Sequence, residues 1–407
     1  MTDVAELDLP AFDHTDGSLR GADFHAAMRA VSGEGWLAQG PFGYITLDRD
    51  AGEFFLRSRD AIFPGMKIAE IFGVADGPLH EEMVRNILHI NGQDHARLRG
   101  LVNPSLTPRA VERYRPAMQR FLAELLDDAR SEGASEAELD FVAAFAKPYP
   151  SRVIASVMGA PLTDAPRLHR WSNWIQRQFD AIAMAGEREG IEAAVAEFYE
   201  YAADLVAARR REPGDDIVSL LVQAEEQGDR LSDVECVNLV FNILVGGVDT
   251  TQAQLAHAVR LLSEHPDQWA ALRADPSLAG PAVEESLRYE PITPFTARIL
   301  TADVTYRDVT FPRDTIVMVC AFTGNRDLPA GDGDTFDITA GHDAARPLTF
   351  GAGIHYCLGA NLARLELTEA LTFLAARFSR LEPAGDPEYE SITGIYGLAA
   401  LPLRIAF

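Results

Sequence analysis

Between Thr349 and Arg364 lies a glycine-rich turn, with Gly351, Gly353 and Gly359, that carries a single thiol, Cys357, into a run of helix formers. This stretch restricts the fold more than any other. Gly351 and Gly353 permit positive φ and leave the backbone bare enough for a flat ligand to approach, while Gly359 lets the first turn behind it pack closely. A cysteine just ahead of a helix start feels the positive end of the helix dipole, and N–H groups there can bond its sulfur, so the anion is favoured. Without such neighbours a lone cysteine reads as an inert buried thiol.

The chain of 407 residues is 47% hydrophobic, enough for a core that encloses a bulky group. Lys and Arg number 36 against 61 Asp and Glu, a formal charge of −25, which argues against general affinity for nucleic acid or anionic membranes. The start, Met1 to Asp8, lacks the basic and apolar regions of a signal peptide, and no apolar run is uninterrupted enough to span a bilayer, so a soluble cytoplasmic protein is expected. Cys236, Cys320 and Cys357 are far apart, which suggests neither a disulfide framework nor a zinc site. No linker forces a split, and residues 1–407 are read as one domain.

Tyr44 to Leu47, Val304 to Tyr306 and Thr315 to Val319 read as strands. Phe63 to Val74 reads as an irregular loop, and Ala110 to Ala208 as an all-helical half with a polar loop at Glu187 to Gly190. Ser232 with Glu235 forms a capping-box signature ahead of a long apolar helix that continues to Leu262. Gly246, Gly247, Asp249, Thr250 and Thr251 interrupt it, at a cost of about 1 kcal/mol per glycine relative to alanine. Alone, that interruption reads as a packing kink. Similarly, His95 and Arg99 stand one helical turn apart, a pairing that by itself reads as a solvated face. Pro281 is expected at the first position of a helix running to Tyr289, on which Glu285 and Arg288 can pair. Leu362 to Phe378 reads as a helix behind the thiol.

Phe350, Gly353, His355, Cys357 and Gly359 fill every fixed place of the haem-binding loop of the cytochrome P450 family, Phe-x-x-Gly-x-His/Arg-x-Cys-x-Gly, and the chain resembles that family from about His95 to its end. The resemblance implies a mainly α fold with a smaller β region and a long central helix crossing the haem. It makes Cys357 the axial thiolate of a haem b iron, the ligand type that favours O–O cleavage. Phe350, Gly359 and Gly246 would border the haem, and His95, Arg99, Arg298 and His355 would bind its propionates. The family's acidic residue and proline before the histidine are replaced here by Asn91, Gly92, Gln93 and Asp94. The glycine-interrupted stretch matches the family's oxygen-binding groove, with Asp249 and Thr250 as the acid–alcohol pair that passes protons inward. Glu285, Arg288 and Arg326 would brace the haem loop. Ile71, Phe72, Ile175, Phe179, Val245, Ile292, Phe295 and Ile395 become candidate substrate-pocket residues, Ile395 as the tip of a terminal hairpin.

The implied activity is that of a monomeric monooxygenase inserting one atom of O2 into a hydrophobic small molecule. Because no reductase or ferredoxin motif is fused to the chain, electrons would come from a separate ferredoxin-type donor, docking where Arg109, Arg113 and Arg364 offer positive charge. Two rivals stay open: a peroxide-driven or isomerising haem enzyme, and a haem sensor or carrier without turnover.

Overall fold

Ser232 starts the helix around which the other elements pack. Its hydroxyl accepts from the Glu235 N–H at 3.3 Å while the Glu235 carboxylate accepts from the Ser232 N–H at 2.8 Å, so two otherwise orphaned donors are satisfied reciprocally. The helix runs over Asp233–Gly246, breaks at Gly247 and Val248, and resumes over Asp249–Glu264. Every residue from Thr251 to Ser263 is buried. The break is where the sequence pattern put it, and one cause is steric. A Cβ on Gly247 would come within 2.6 Å of Ile154 Cδ1, from the helix Pro148–Met158 packed alongside. By length and composition alone Asp233–Glu264 could cross a membrane, but 61% of its apolar window is already buried inside the protein.

This computed structural model describes residues 1–130, 135–226, 231–328, 333–341 and 346–407. The architecture is mainly α with a smaller β part, as expected. A five-stranded sheet runs in the order Leu37–Gly40, Gly43–Thr46, Ile316–Cys320, Phe295–Leu300 and Ala61–Ile62. All its pairings are antiparallel except that of Gly43–Thr46 with Ile316–Cys320. Arg298 reaches the site from one of its central strands. The helix Ala360–Arg377 lies directly after the cysteine loop and packs against both Ala279–Tyr289 and the second half of the broken helix.

Four local expectations are corrected. The stretch from Phe63 to Val74 contains a helix, Gly65–Ile71. Glu187 to Gly190 is not a loop, because the 24-residue helix Arg188–Arg211 begins there. The helical half is interrupted by a strand, Glu136–Asp140, which pairs with Pro402–Ala406 near the other end of the chain. Pro281 is the third helical residue, since its helix already starts at Ala279.

Candidate active site

Gly351 and Gly353 adopt φ of 67° and 71°, which only glycine takes without strain. At Gly353 there is no room either, since a Cβ would lie 2.5 Å from the Leu56 carbonyl oxygen. The two turns bring the Cys357 N–H to the Phe350 carbonyl at 2.9 Å and leave the thiol facing a cavity of about 470 Å³. Cys357 is exposed only in the sense that it opens into this cavity, and protein surrounds it on its other sides. Burial pushes its thiol pKa up, while the Gly359 N–H and the Arg99 and Arg364 guanidiniums favour the anion.

The broken helix supplies Val245, Gly246, Gly247, Thr250 and Thr251 to the same cavity. A Cβ on Gly246 or on Gly359 would meet nothing within 4 Å, so both walls leave open a space a side chain would fill. Thr250 Oγ1 donates to the Gly246 carbonyl at 2.8 Å, which satisfies part of the backbone freed by the break and leaves the hydroxyl lone pairs available. Asp249 does not line the cavity. It is buried, and its Oδ1 lies 3.6 Å from His169 Nδ1 on the helix Ala165–Gln176. Burial raises its carboxyl pKa against the pull of His169, Ser172 and Lys147.

Beside the cysteine loop two guanidiniums and two histidines gather with no carboxylate among the described residues, and burial, with the neighbouring cations, lowers both histidine pKa values, that of His355 to about 3. His95 lies on the helix Gly92–Val102, and its ring centroid is 4.4 Å from that of His355. His95 Nε2 and His355 Nδ1 are buried with no hydrogen-bond partner among the described residues. His355 Nε2 meets Asn91 Oδ1 at 3.0 Å, so one residue of the atypical segment before His95 orients the loop histidine. Arg99 donates to the Tyr356 carbonyl at 2.7 Å. Arg298 is only 2% exposed, donates to the Ala297 carbonyl at 2.8 Å, and has no ion pair among the described residues. Burial alone pushes its pKa down to about 10. A buried guanidinium without a counter-charge is costly, so this cluster is built to receive anionic groups. The open glycine walls, the thiol and the cluster together fit a flat metal-bearing group with carboxylate arms.

Behind the loop, Glu285 and Arg288 pair through two bonds, Nε to Oε2 at 2.7 Å and Nη2 to Oε1 at 2.8 Å, and both are nearly fully buried. Arg288 also donates to the Gly333 and Thr335 carbonyls, while Glu285 Oε1 accepts from the Asp337 N–H at 2.9 Å. Arg326 enters from another side, with Nε 3.1 Å from Asp334 and its guanidinium 3.6 Å over Phe322 and 4.5 Å over Tyr289.

Of the eight predicted pocket residues, Ile71, Phe72, Phe179, Val245, Ile292, Phe295 and Ile395 line the cavity. Ile175 does not; it is fully buried in the main apolar core. Ile395 lies between the paired strands Glu388–Tyr389 and Leu398–Ala400. Sequence reasoning passed over His169, and it also passed over the polar wall residues Glu82, Gln178 and Asn242. Asn242 carried a signal, since it interrupts the apolar run from Leu239 to Val245. On the face expected to dock a donor, Arg113 is paired with Asp215 and Arg364 with Glu284, and Arg109 has no ion pair among the described residues.

A family model described as Cytochrome P450 matches residues 76–406. Luteothin monooxygenase of Streptomyces thioluteus is 34% identical over 408 residues, covering 99% of this chain and 98% of that protein. Cyclomarin C epoxidase CymV of Salinispora arenicola is 38% identical over 326 residues, covering 79% and 80%. Among solved structures, CalO2 superposes with a TM-score of 0.88 at 33% identity, covering 98% of this chain and 99% of its own.

Proposed function

Since the chain belongs to the cytochrome P450 family and is a bacterial-type P450 monooxygenase with a haem-thiolate cofactor, we propose that it hydroxylates or epoxidises a hydrophobic small molecule. In this reading the cofactor is haem b, the chain acts as a monomer, and a separate ferredoxin-type protein supplies electrons. The observation that carries the reading is the Cys357 thiol, which opens into the same cavity as Gly246 and Thr250. Bound through a thiolate, haem supplies reductive activation of O2 with cleavage of the O–O bond.

The protein's own part is to hold, exclude and deliver. Cys357 ligates, aided by the Gly359 N–H. Arg298, Arg99, His95 and His355 take the propionates, which would give Arg298 the counter-charge it lacks. Phe350 and Gly359 border the group on the thiol side, and Gly246 on the side of the broken helix. The Glu285–Arg288 pair and Arg326 hold the loop in place.

Thr250 Oγ1 has its hydrogen committed to the Gly246 carbonyl, so toward the cavity it acts as an acceptor that positions a water or a protonated oxygen. Asp249, whose pKa burial raises, stands behind it as the group that relays a proton, and partly exposed His169 connects that carboxyl with solvent. Ile71, Phe72, Phe179, Val245, Ile292, Phe295 and Ile395 offer an apolar surface to a terpenoid, steroid, fatty acid or polyketide-like substrate. Arg109 offers free charge to an acidic donor. Relatives named for monooxygenation and epoxidation support this reaction class.

The first test is the carbon monoxide spectrum of the reduced, haem-loaded protein. A red-shifted thiolate band, lost in Cys357→Ser, is expected, and its survival in that variant overturns the assignment. The second is Thr250→Ala, which should keep consuming electrons while forming less product. Unchanged coupling would favour a haem enzyme that does not oxygenate with O2.

A further inference from the structure

Part of the cavity wall is polar where its surroundings are apolar. Glu82 comes from the helix Gly77–Arg85, Gln178 from the turn Arg177–Phe179 and Asn242 from the broken helix, and all three line the cavity. Their neighbours in sequence along the same wall, Phe179 and Ile243, are apolar. Glu82 is 3% exposed and Gln178 2%.

The bonds in this group fix which atoms are vacant. Asn242 Oδ1 accepts from the Ile87 N–H at 3.0 Å, so its amide nitrogen must face Glu82 Oε1, 3.4 Å away. Asn86 Nδ2 donates to that same oxygen at 2.6 Å. Glu82 Oε2 and Gln178 Oε1 are left buried with no hydrogen-bond partner among the described residues. The Gln178 amide lies beside the Glu82 carboxyl, close enough to oppose the rise that burial gives its pKa, which reaches about 7. A buried acceptor left unsatisfied carries the full penalty of its lost hydration. Above about pH 7, where Glu82 is ionised, these two vacant acceptors in an apolar wall are a site for a donor.

We propose that Glu82 and Gln178 form a recognition subsite for a hydrogen-bond donor on the substrate, a hydroxyl or a protonated amine. The substrate is then amphipathic, an apolar body with one donor group held away from the carbon that is oxidised. The offset follows from the helix. Asn242 stands four residues before Gly246 on the first half of the broken helix, roughly 6 Å along an axis that rises 1.5 Å per residue, and Thr250 lies beyond the break. The proposal rests on the monooxygenase reading and adds a substrate class to it.

The test uses haem-loaded protein and four probes that share one chain length. These are 1-decanol, its methyl ether, decyltrimethylammonium, and N,N-dimethyldecylammonium. Affinity is read by spectral titration and independently by calorimetry. The alcohol should bind about tenfold tighter than the ether, which has no donor, consistent with one buried hydrogen bond. If dimethyldecylammonium also binds about tenfold tighter than decyltrimethylammonium and exceeds the alcohol, the donor is an amine. If the alcohol binds tightest, it is a hydroxyl.

Glu82→Gln puts an N–H2 in place of one carboxylate oxygen, a donor where the substrate needs an acceptor, so the preference for donors should collapse to near unity. Gln178→Met removes the second acceptor, leaves the Asn86 and Asn242 bonds to Glu82 in place, and should weaken the preference as well. Equal binding of alcohol and ether by the wild type, or a preference unchanged in both variants, overturns the proposal. If the thiolate band is intact when that happens, the subsite alone has failed. If the band is absent, the monooxygenase reading has failed first.

Discussion

His169 Nδ1 stands 3.6 Å from Asp249 Oδ1, between the helix Ala165–Gln176 and the broken helix, and neither atom has a hydrogen-bond partner among the described residues. The Asp249 side chain is 7% exposed and that of His169 22%, so the histidine is the outer member. Ser172 and Lys147 also pull the Asp249 pKa down, while Glu390, whose own carboxyl is raised by burial, adds a like charge.

Asp249→Asn should slow product formation on the order of 100-fold, in the range of a lost proton-transfer group. Burial lets Asp249 keep its proton to higher pH than an ordinary carboxyl, so the donor form is present below the raised pKa and lost as pH rises through it. Substituting His169→Leu removes a group that lowers that pKa, so the falling limb of kcat should move to higher pH. A kcat–pH profile at saturating substrate checks both, and an unmoved limb in His169→Leu sinks the coupling.

Arg298→Leu should have opposite effects on the two forms of the protein. Without haem, the variant loses a buried charge with no ion-pair partner among the described residues, so thermal stability should hold or rise. With haem, a charge-assisted bond to a propionate is gone, worth about 1.5–3 kcal/mol, or roughly 10- to 100-fold in haem affinity. Transfer to a haem scavenger measures the second, and calorimetry of the haem-free protein the first.

Two glycines should differ sharply when changed to alanine. Gly353 combines φ of 71° with a Cβ position 2.5 Å from the Leu56 carbonyl oxygen, so Gly353→Ala should destabilise by about 1–3 kcal/mol and lower haem incorporation. Gly246→Ala meets nothing within 4 Å and lies at a helix end, so folding should be unaffected. Haem content per chain after expression separates the two.

Arg288→Met leaves the buried Glu285 without its main partner, although Glu285 Oε1 retains the Asp337 N–H. A loss of about 3–5 kcal/mol is expected in urea unfolding. Adding Glu285→Gln should recover part of it, because the remaining group is then neutral.

What could be read from the sequence depended on how local each pattern is. The cysteine loop, the capping box at Ser232 and Glu235, the glycine-interrupted helix and the Glu285–Arg288 pair each lie within a few residues, where backbone geometry fixes neighbours. Ile175 shows the limit of periodicity, which marks a buried face without saying whether core or cavity covers it. The strand Glu136–Asp140 was hidden because helix formers fill it and its partner strand is Pro402–Ala406. Glu82, Gln178 and Asn242 come from three separate segments, and no spacing rule joins them. His169 looked like one polar residue among many on an amphipathic helix, and only the fold aims it at Asp249.

In the haem-free protein two sets of buried groups should move stability with pH in opposite directions, and the three histidines should outweigh Glu82 between pH 5 and 7. Glu82 has its pKa raised from 4.5 to about 7 by burial, so its contribution is fully present below about 4.5 and is lost as pH rises through 7. That loss is roughly 3 kcal/mol across the interval. His14, His89 and His257 each have a pKa lowered from 6.5 to about 4 by burial, so their contribution is present above 6.5 and is lost as pH falls through 4. In Glu82→Gln the rise in stability from pH 5 to 7 should steepen, because the Glu82 contribution that opposes the histidines is gone. Thermal unfolding midpoints of the haem-free protein from pH 4 to 9 measure that slope, and a slope unchanged in the variant would rule out Glu82 as the opposing group.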